Sequence, residues 1–199
     1  MQKSIFHTSR KLQTRSRKNV HAVTAVRCAL LLAAGAGLIA GPGSAFAEAD
    51  KAYAAGDGAS ANSTKSTALG ANSSATGISS LAIGGATADG SYTIAIGGSA
   101  KALETGSHPY DSSVAIGYKA FADGERALAL GSSSKATGMD SIGIGFNNPG
   151  QGATGTNAIS IGVQSTASGS ASVTLGQHST ASGSLSIAIG DAANAAGDY

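Results

Sequence analysis

The run "SVAIG" at 113–117 is one of nine related five-residue segments, each closed by a glycine, and their spacing constrains the fold more than any other property of the chain. The closing glycines are Gly70, Gly84, Gly97, Gly117, Gly131, Gly145, Gly162, Gly176 and Gly190, so successive copies lie 14, 13, 20, 14, 14, 17, 14 and 14 residues apart. A second glycine falls between copies, most often seven residues on, from Gly77 to Gly197. A unit this short cannot bury an apolar face by itself. Repeated at a fixed period, it can stack on its neighbours into a solenoid with a continuous core.

Within each segment the residues alternate, as a strand requires if its two faces are to differ. The residue before the glycine is Ile or Leu in all nine copies, and the one three before it is Ile, Leu or Val in all but the first, which has Thr67. The intervening positions, two and four before the glycine, hold Ala, Gly, Ser or Thr. Helix is disfavoured throughout by the glycine interval and by the β-branched residues and serines.

Glycine every seven residues suits a chain that reverses in tight turns, where φ can be positive. Two reversals per unit give a coil with two flat sides. The second side, as in "STASG" at 165–169, is mostly Ser, Thr and Ala and leaves room for only a thin interior. The expectation is an all-β parallel β-roll of about nine coils over residues 66–199. At about 4.8 Å per stacked strand it would be roughly 40 Å long.

No charged residue falls in any of the nine segments. Lys65, Lys101, Lys119, Asp123, Glu125, Arg126, Lys135, Asp140 and Asp191 are expected in turns or on the second side, as a solvated surface requires. The interior can cover only one face of the first strand, so the other needs a cover, and a second copy of the same chain is the expected one. A stable folded monomer is therefore not expected. Two copies are lengthened, and extra residues bulge at turns. "GSAKALETGSHPYDS" at 98–112 carries six, with His108 and Tyr110, and "FNNPGQGATGTN" at 146–157 carries three, with Phe146.

The first 47 residues differ from the rest. A basic stretch (Lys3, Arg10, Lys11, Arg15, Arg17, Lys18, Arg27) leads into the apolar run "CALLLAAGAGLIAG" and ends at "SAFA", the pattern of a cleavable export signal, with cleavage expected after Ala47. Residues 48–65 are expected as a lead-in. The leader holds seven of the 13 basic residues and none of the 11 acidic ones, so the mature chain carries six against eleven, a net charge of −5. A nucleic-acid partner loses its electrostatic footing. Cys28, the only cysteine, leaves with the leader, so no disulfide stabilises the mature chain.

Chemistry finds little purchase. His108 beside Asp111 in "SHPYD" reads as an exposed loop histidine and not as a general base, so neither an enzyme nor a small-molecule substrate is expected. No cofactor or metal is expected: calcium-binding rolls need Asp-bearing "GGxGxD" units, and none occurs. Runs such as "ASGSAS" are repeat turns, with no helix after them to make a phosphate site. The hexapeptide acyltransferase helix has period six, whereas seven and fourteen hold here, and an ice-binding face would need Thr in regular order.

"SVAIG" with its eight variants, spaced by fourteen with an intermediate glycine over residues 66–197, resembles the head repeats of trimeric autotransporter adhesins, the YadA-like head or Hep/Hag type. The resemblance implies a left-handed roll, a homotrimer, and display at the outer-membrane surface of a Gram-negative cell, where it would bind a host extracellular-matrix protein or cell surface or mediate autoaggregation. Collagen is not favoured as the ligand. The collagen-associated motif begins with Asn, whereas Ser112 precedes "SVAIG", and "NAISIG" at 157–162 lacks the central Ala. The family's heptad stalk and membrane strands do not occur before Tyr199. That leaves a truncated product, part of a longer chain, or a secreted orphan head, and a non-binding spacer as the alternative function. Contacts would be sought at Ser113, Val114, Ala115, Ile116 and Gly117, at the lengthened turn with His108 and Tyr110, and above all at Tyr118, Lys119 and Phe121.

Overall fold

The computed structural model describes residues 52–103, 112–147 and 150–198. Among them, three-residue strands alternate with two-residue strands along the chain, and each kind stacks into its own ten-stranded parallel sheet. The first sheet runs from Tyr53–Ala55 to Ile187–Ile189 and the second from Ser60–Ala61 to Asn194–Ala195. The register follows the repeat: Val114 pairs with Leu128, Ala115 with Ala129 and Ile116 with Leu130. This is a parallel β-solenoid of ten coils. The tenth is Tyr53–Ala55 with Ser60–Ala61, inside the stretch read as a lead-in. It keeps the small central Ala54 and a closing Gly56 fourteen residues before Gly70, but Tyr and Ala replace the flanking aliphatics.

The structure decides which face of the alternating strand lies inside. The central column of the first sheet, including Ala68, Ala82, Ala95, Ala115 and Ala129, is fully buried, as is the facing column Ala75, Ala88, Ala102, Ala122 and Ala136. Among the described residues every buried hydrophobic one is alanine, and the largest fully buried side chains are Thr93 and Thr174. The Ile, Leu and Val pairs all point outward. The space between the sheets is thin and is narrowest at Gly143 in "SIGIG", where a Cβ would lie 2.1 Å from the Lys135 carbonyl oxygen, so the glycine permits a closer local approach.

Polar residues in so narrow a core must be paired. Several serines that open the strands donate to the carbonyl three residues back, among them Ser73 Oγ to Gly70 O at 2.7 Å, Ser80 Oγ to Gly77 O at 2.7 Å and Ser172 Oγ to Gly169 O at 2.8 Å. The amide of each closes a turn on the same carbonyl. Where the central column departs from Ala, Thr174 Oγ1 donates to Ser160 Oγ at 3.1 Å, and Ser160 shares a 2.7 Å bond with Ser165.

The two glycines of the repeat do different work. The closing glycine has positive φ, as at Gly117 with 132°. The intermediate glycine does not, contrary to the expectation that turns alone demand it. At Gly138 an added Cβ would fall 1.9 Å from Gly155 O in the next coil, so close backbone stacking excludes a side chain. The left-handed turn position is taken instead by ordinary residues, among them Lys119 (φ 56°), Gln164 (φ 56°) and Leu185 (φ 60°).

Insertions are absorbed at turns. Lys101 still pairs with Phe121 and Ile96 with Ile116, so the six extra residues enter after Ala102. The three extra residues enter between Ile144 and Gly152.

Candidate functional site

The residues singled out around "SVAIG" separate into three groups. Ser113 and Ala115 are fully buried, so their side chains face the interior and not a ligand. Val114 and Ile116 are half-buried on the outer face of the first sheet, in register with Leu128 and Leu130 on one side and with Ile94 and Ile96 on the other. Gly117 opens the turn. Tyr118, Lys119 and Phe121 then carry the chain around a corner onto the second sheet. Tyr118 is 57% exposed, Lys119 is exposed and Phe121 is half-buried. His108 and Tyr110 lie outside the described residues.

Two surfaces result. The outer face of the first sheet is an unbroken double column of aliphatic side chains through eight successive coils, from Leu81 and Ile83 to Ile187 and Ile189. It is about 34 Å long at about 4.8 Å per strand. Its C-terminal end is the most open, with Ile187 at 62% and Ile189 at 66% exposure.

The second sheet and the turns hold the charges, as the sequence predicts. At one edge the Arg126 guanidinium grips Asp140 of the next coil through two bonds, Nε to Oδ1 at 2.6 Å and Nη2 to Oδ2 at 2.8 Å, and also donates to Glu125. The hydrogen bond to Asp140 raises the Arg126 pKa, and the same bond lowers that of the Asp140 carboxyl. At the other edge His178 shares a bond with Gln164. Both pairs join equivalent positions fourteen residues apart and tie adjacent coils together.

Around Phe121 the register adds neighbours that sequence spacing concealed. Phe121 pairs with Lys101 on one side and Lys135 on the other, so the three side chains form one outward column. Lys135 could have been found from its fourteen-residue offset. Lys101 is hidden by the twenty-residue coil. The Lys119 ammonium sits 5.1 Å from the centre of the Tyr118 ring, and that ring lies beside Gly98, whose added Cβ would touch Tyr118 Cδ2 at 3.4 Å. Among the described residues no group of three or more His, Cys, Asp or Glu is placed to hold a metal ion.

The family model for the YadA head domain repeat matches at residues 47–73, 62–87, 75–100, 88–107, 111–134, 122–148, 153–179 and 181–199. The chain belongs to the YadA head family. The matched segments tile most of the solenoid, including its first coil, with one coil roughly per half of the two-copy unit. YadA-type heads are non-enzymatic adhesin modules exposed at the outer membrane. No curated protein matches the chain.

Proposed function

We propose that this chain is the contact-making head of a trimeric adhesin, exported behind residues 1–47 and fixing the bacterial surface to host matrix, host cells or neighbouring bacteria. The observation that carries this reading is the division between the two sheets. Through eight successive coils one presents only aliphatic side chains, which water penalises, and the other presents polar, charged and aromatic ones. A long exposed apolar face marks an interface. Three copies laid side by side on that face give it cover, and leave every second sheet and every turn directed outward. A spacer would need the first property alone.

The test has two parts. Sedimentation of the mature chain is expected to give three times the chain mass, and Ile142→Lys with Ile159→Lys is expected to abolish it. Cells or beads displaying the assembled head are expected to adhere to matrix-coated surfaces or to one another. A folded single chain at micromolar concentration refutes the assembly, and no adhesion at high surface density refutes the adhesin in favour of the spacer.

A further inference from the structure

We propose that the outer face of the second sheet around Phe121 is a binding site for a sulfated polysaccharide, a reading that rests on the adhesin function above and names its ligand class. Three cationic side chains converge there in a mature chain whose net charge is negative. Lys101 and Lys135 flank Phe121 in one column, about 10 Å apart across two coil spacings, and Lys119 joins them from the adjoining turn. Their inward neighbours Ala102, Ala122 and Ala136 are fully buried, which fixes the lysines and Phe121 outward. The remaining described cations lie elsewhere: Lys65 on the opposite turn, and Arg126 committed to Asp140 and Glu125. Among the described residues the acidic neighbour of the patch is Asp123, just after the same short strand, and its pKa is raised by burial, against the opposing pull of Lys135. The patch is therefore cationic while the rest of the surface is acidic.

The aromatic residues narrow the partner further. A polyanion alone would need only the lysines, but Tyr118 and Phe121 place two rings among them, with Tyr118 largely exposed beside the side-chain-free Gly98. A pyranose ring offers an apolar C–H face to pack on an aromatic ring, and sulfate groups on its rim meet ammonium groups. Charges repeated along a stiff sugar chain match charges repeated by a stiff stack of coils. Lateral assembly through the first sheet leaves this face open and presents it once per copy, so weak individual sites add by avidity.

The test uses the assembled mature chain and immobilised heparin as probe, read by surface plasmon resonance across a salt series. Binding is expected to weaken steeply with salt, at least tenfold in the triple variant K101Q/K119Q/K135Q and about fivefold in Tyr118→Ser. Lys65→Gln, at the same left-handed turn geometry as Gln164, is expected to leave it unchanged, and sedimentation confirms that each variant remains assembled. Unaltered heparin binding by the triple variant overturns the proposal. So does equal binding of single-stranded DNA with no effect of Tyr118→Ser, which would mean attraction to any polyanion. Cell adhesion without heparin binding overturns the site and leaves the adhesin reading standing; loss of both removes both.

Discussion

Replacing Gly138 by alanine tests the reason for the second glycine of the repeat. Gly138 has no positive φ, so conformational strain predicts almost no penalty, whereas the stacking argument predicts a large one. The new Cβ would lie 1.9 Å from Gly155 O and 2.4 Å from Gly155 C, both inside the 3.0 Å closest approach that real Cβ atoms make. Those are backbone atoms, and no flexible side chain can move aside. Relief requires spreading two coils where Thr137 N and Gly138 N both donate to Ala153 O, at 2.9 and 3.3 Å. Weakening two such bonds costs about 1–3 kcal/mol, the same range as overpacking a core by one methyl group. For a domain of this size that lowers Tm by about 3–10 °C. Gly197 is the internal control: it occupies the same place in the repeat, has no positive φ, and an added Cβ meets nothing within 4 Å. Gly197→Ala is therefore expected to be neutral, or stabilising by up to about 1 kcal/mol through the unfolded chain. Circular dichroism melts at one fixed protein concentration give the comparison, since the proposed assembly would make Tm concentration-dependent. Equal melting temperatures for the two variants would refute the stacking argument.

Three further substitutions probe the turns and the interior. Leu185 is exposed and left-handed, a conformation that costs a bulky L-residue about 1–2 kcal/mol and asparagine less, so Leu185→Asn is expected to raise Tm by a few degrees in the same melts. Ser141 Oγ is buried without a partner whereas Ser172 Oγ bonds Gly169 O, so Ser141→Ala is expected to stabilise by about 1 kcal/mol and Ser172→Ala to destabilise by about as much, by chemical denaturation. Asp123 binds its proton more tightly folded than unfolded, so its ionisation opposes folding at pH values above its raised pKa and has no effect below its unfolded value. Asp123→Asn is accordingly expected to raise Tm at pH 7, with the gain vanishing at pH 3.

Much of this architecture was legible because it is written many times over. The fourteen-residue period fixed strand, turn and stacking register, and placed every charge correctly outside the first-sheet strands. What alternation could not reveal is which face turns inward, since Ala and Ile are both apolar. The choice is made by the distance between sheets, which admits alanine and no buried side chain larger than Thr93 or Thr174, and that distance belongs to the folded coil and to no single residue. The first coil escaped notice for the complementary reason: Tyr53-Ala54-Ala55 keeps the inner residue that the fold requires and drops the outer aliphatics by which the other copies are recognised. At the candidate site, Tyr118, Lys119 and Phe121 could be read from their exposed positions, but the lysine on either side of Phe121 emerges only when coils of 20 and 14 residues are laid in register.

The narrow interior also bears on why the proposed assembly surface and the proposed recognition surface fall on opposite sheets. An alanine core brings the sheets together but leaves the large aliphatic side chains outside, so burial that a wider fold would obtain within one chain is, in the proposed trimer, found between chains. The first sheet is thereby committed: a charge there, as in Ile142→Lys, would meet an apolar partner. The second sheet carries no such obligation. Its outer column tolerates Ser74, Thr87, Lys101, Phe121, Thr180 and Asn194, because only the inward alanine and the turn glycines are dictated by neighbours. Surface chemistry can therefore change on that side without altering the coil, and a cluster such as Lys101, Phe121 and Lys135 is not something that stacking alone requires.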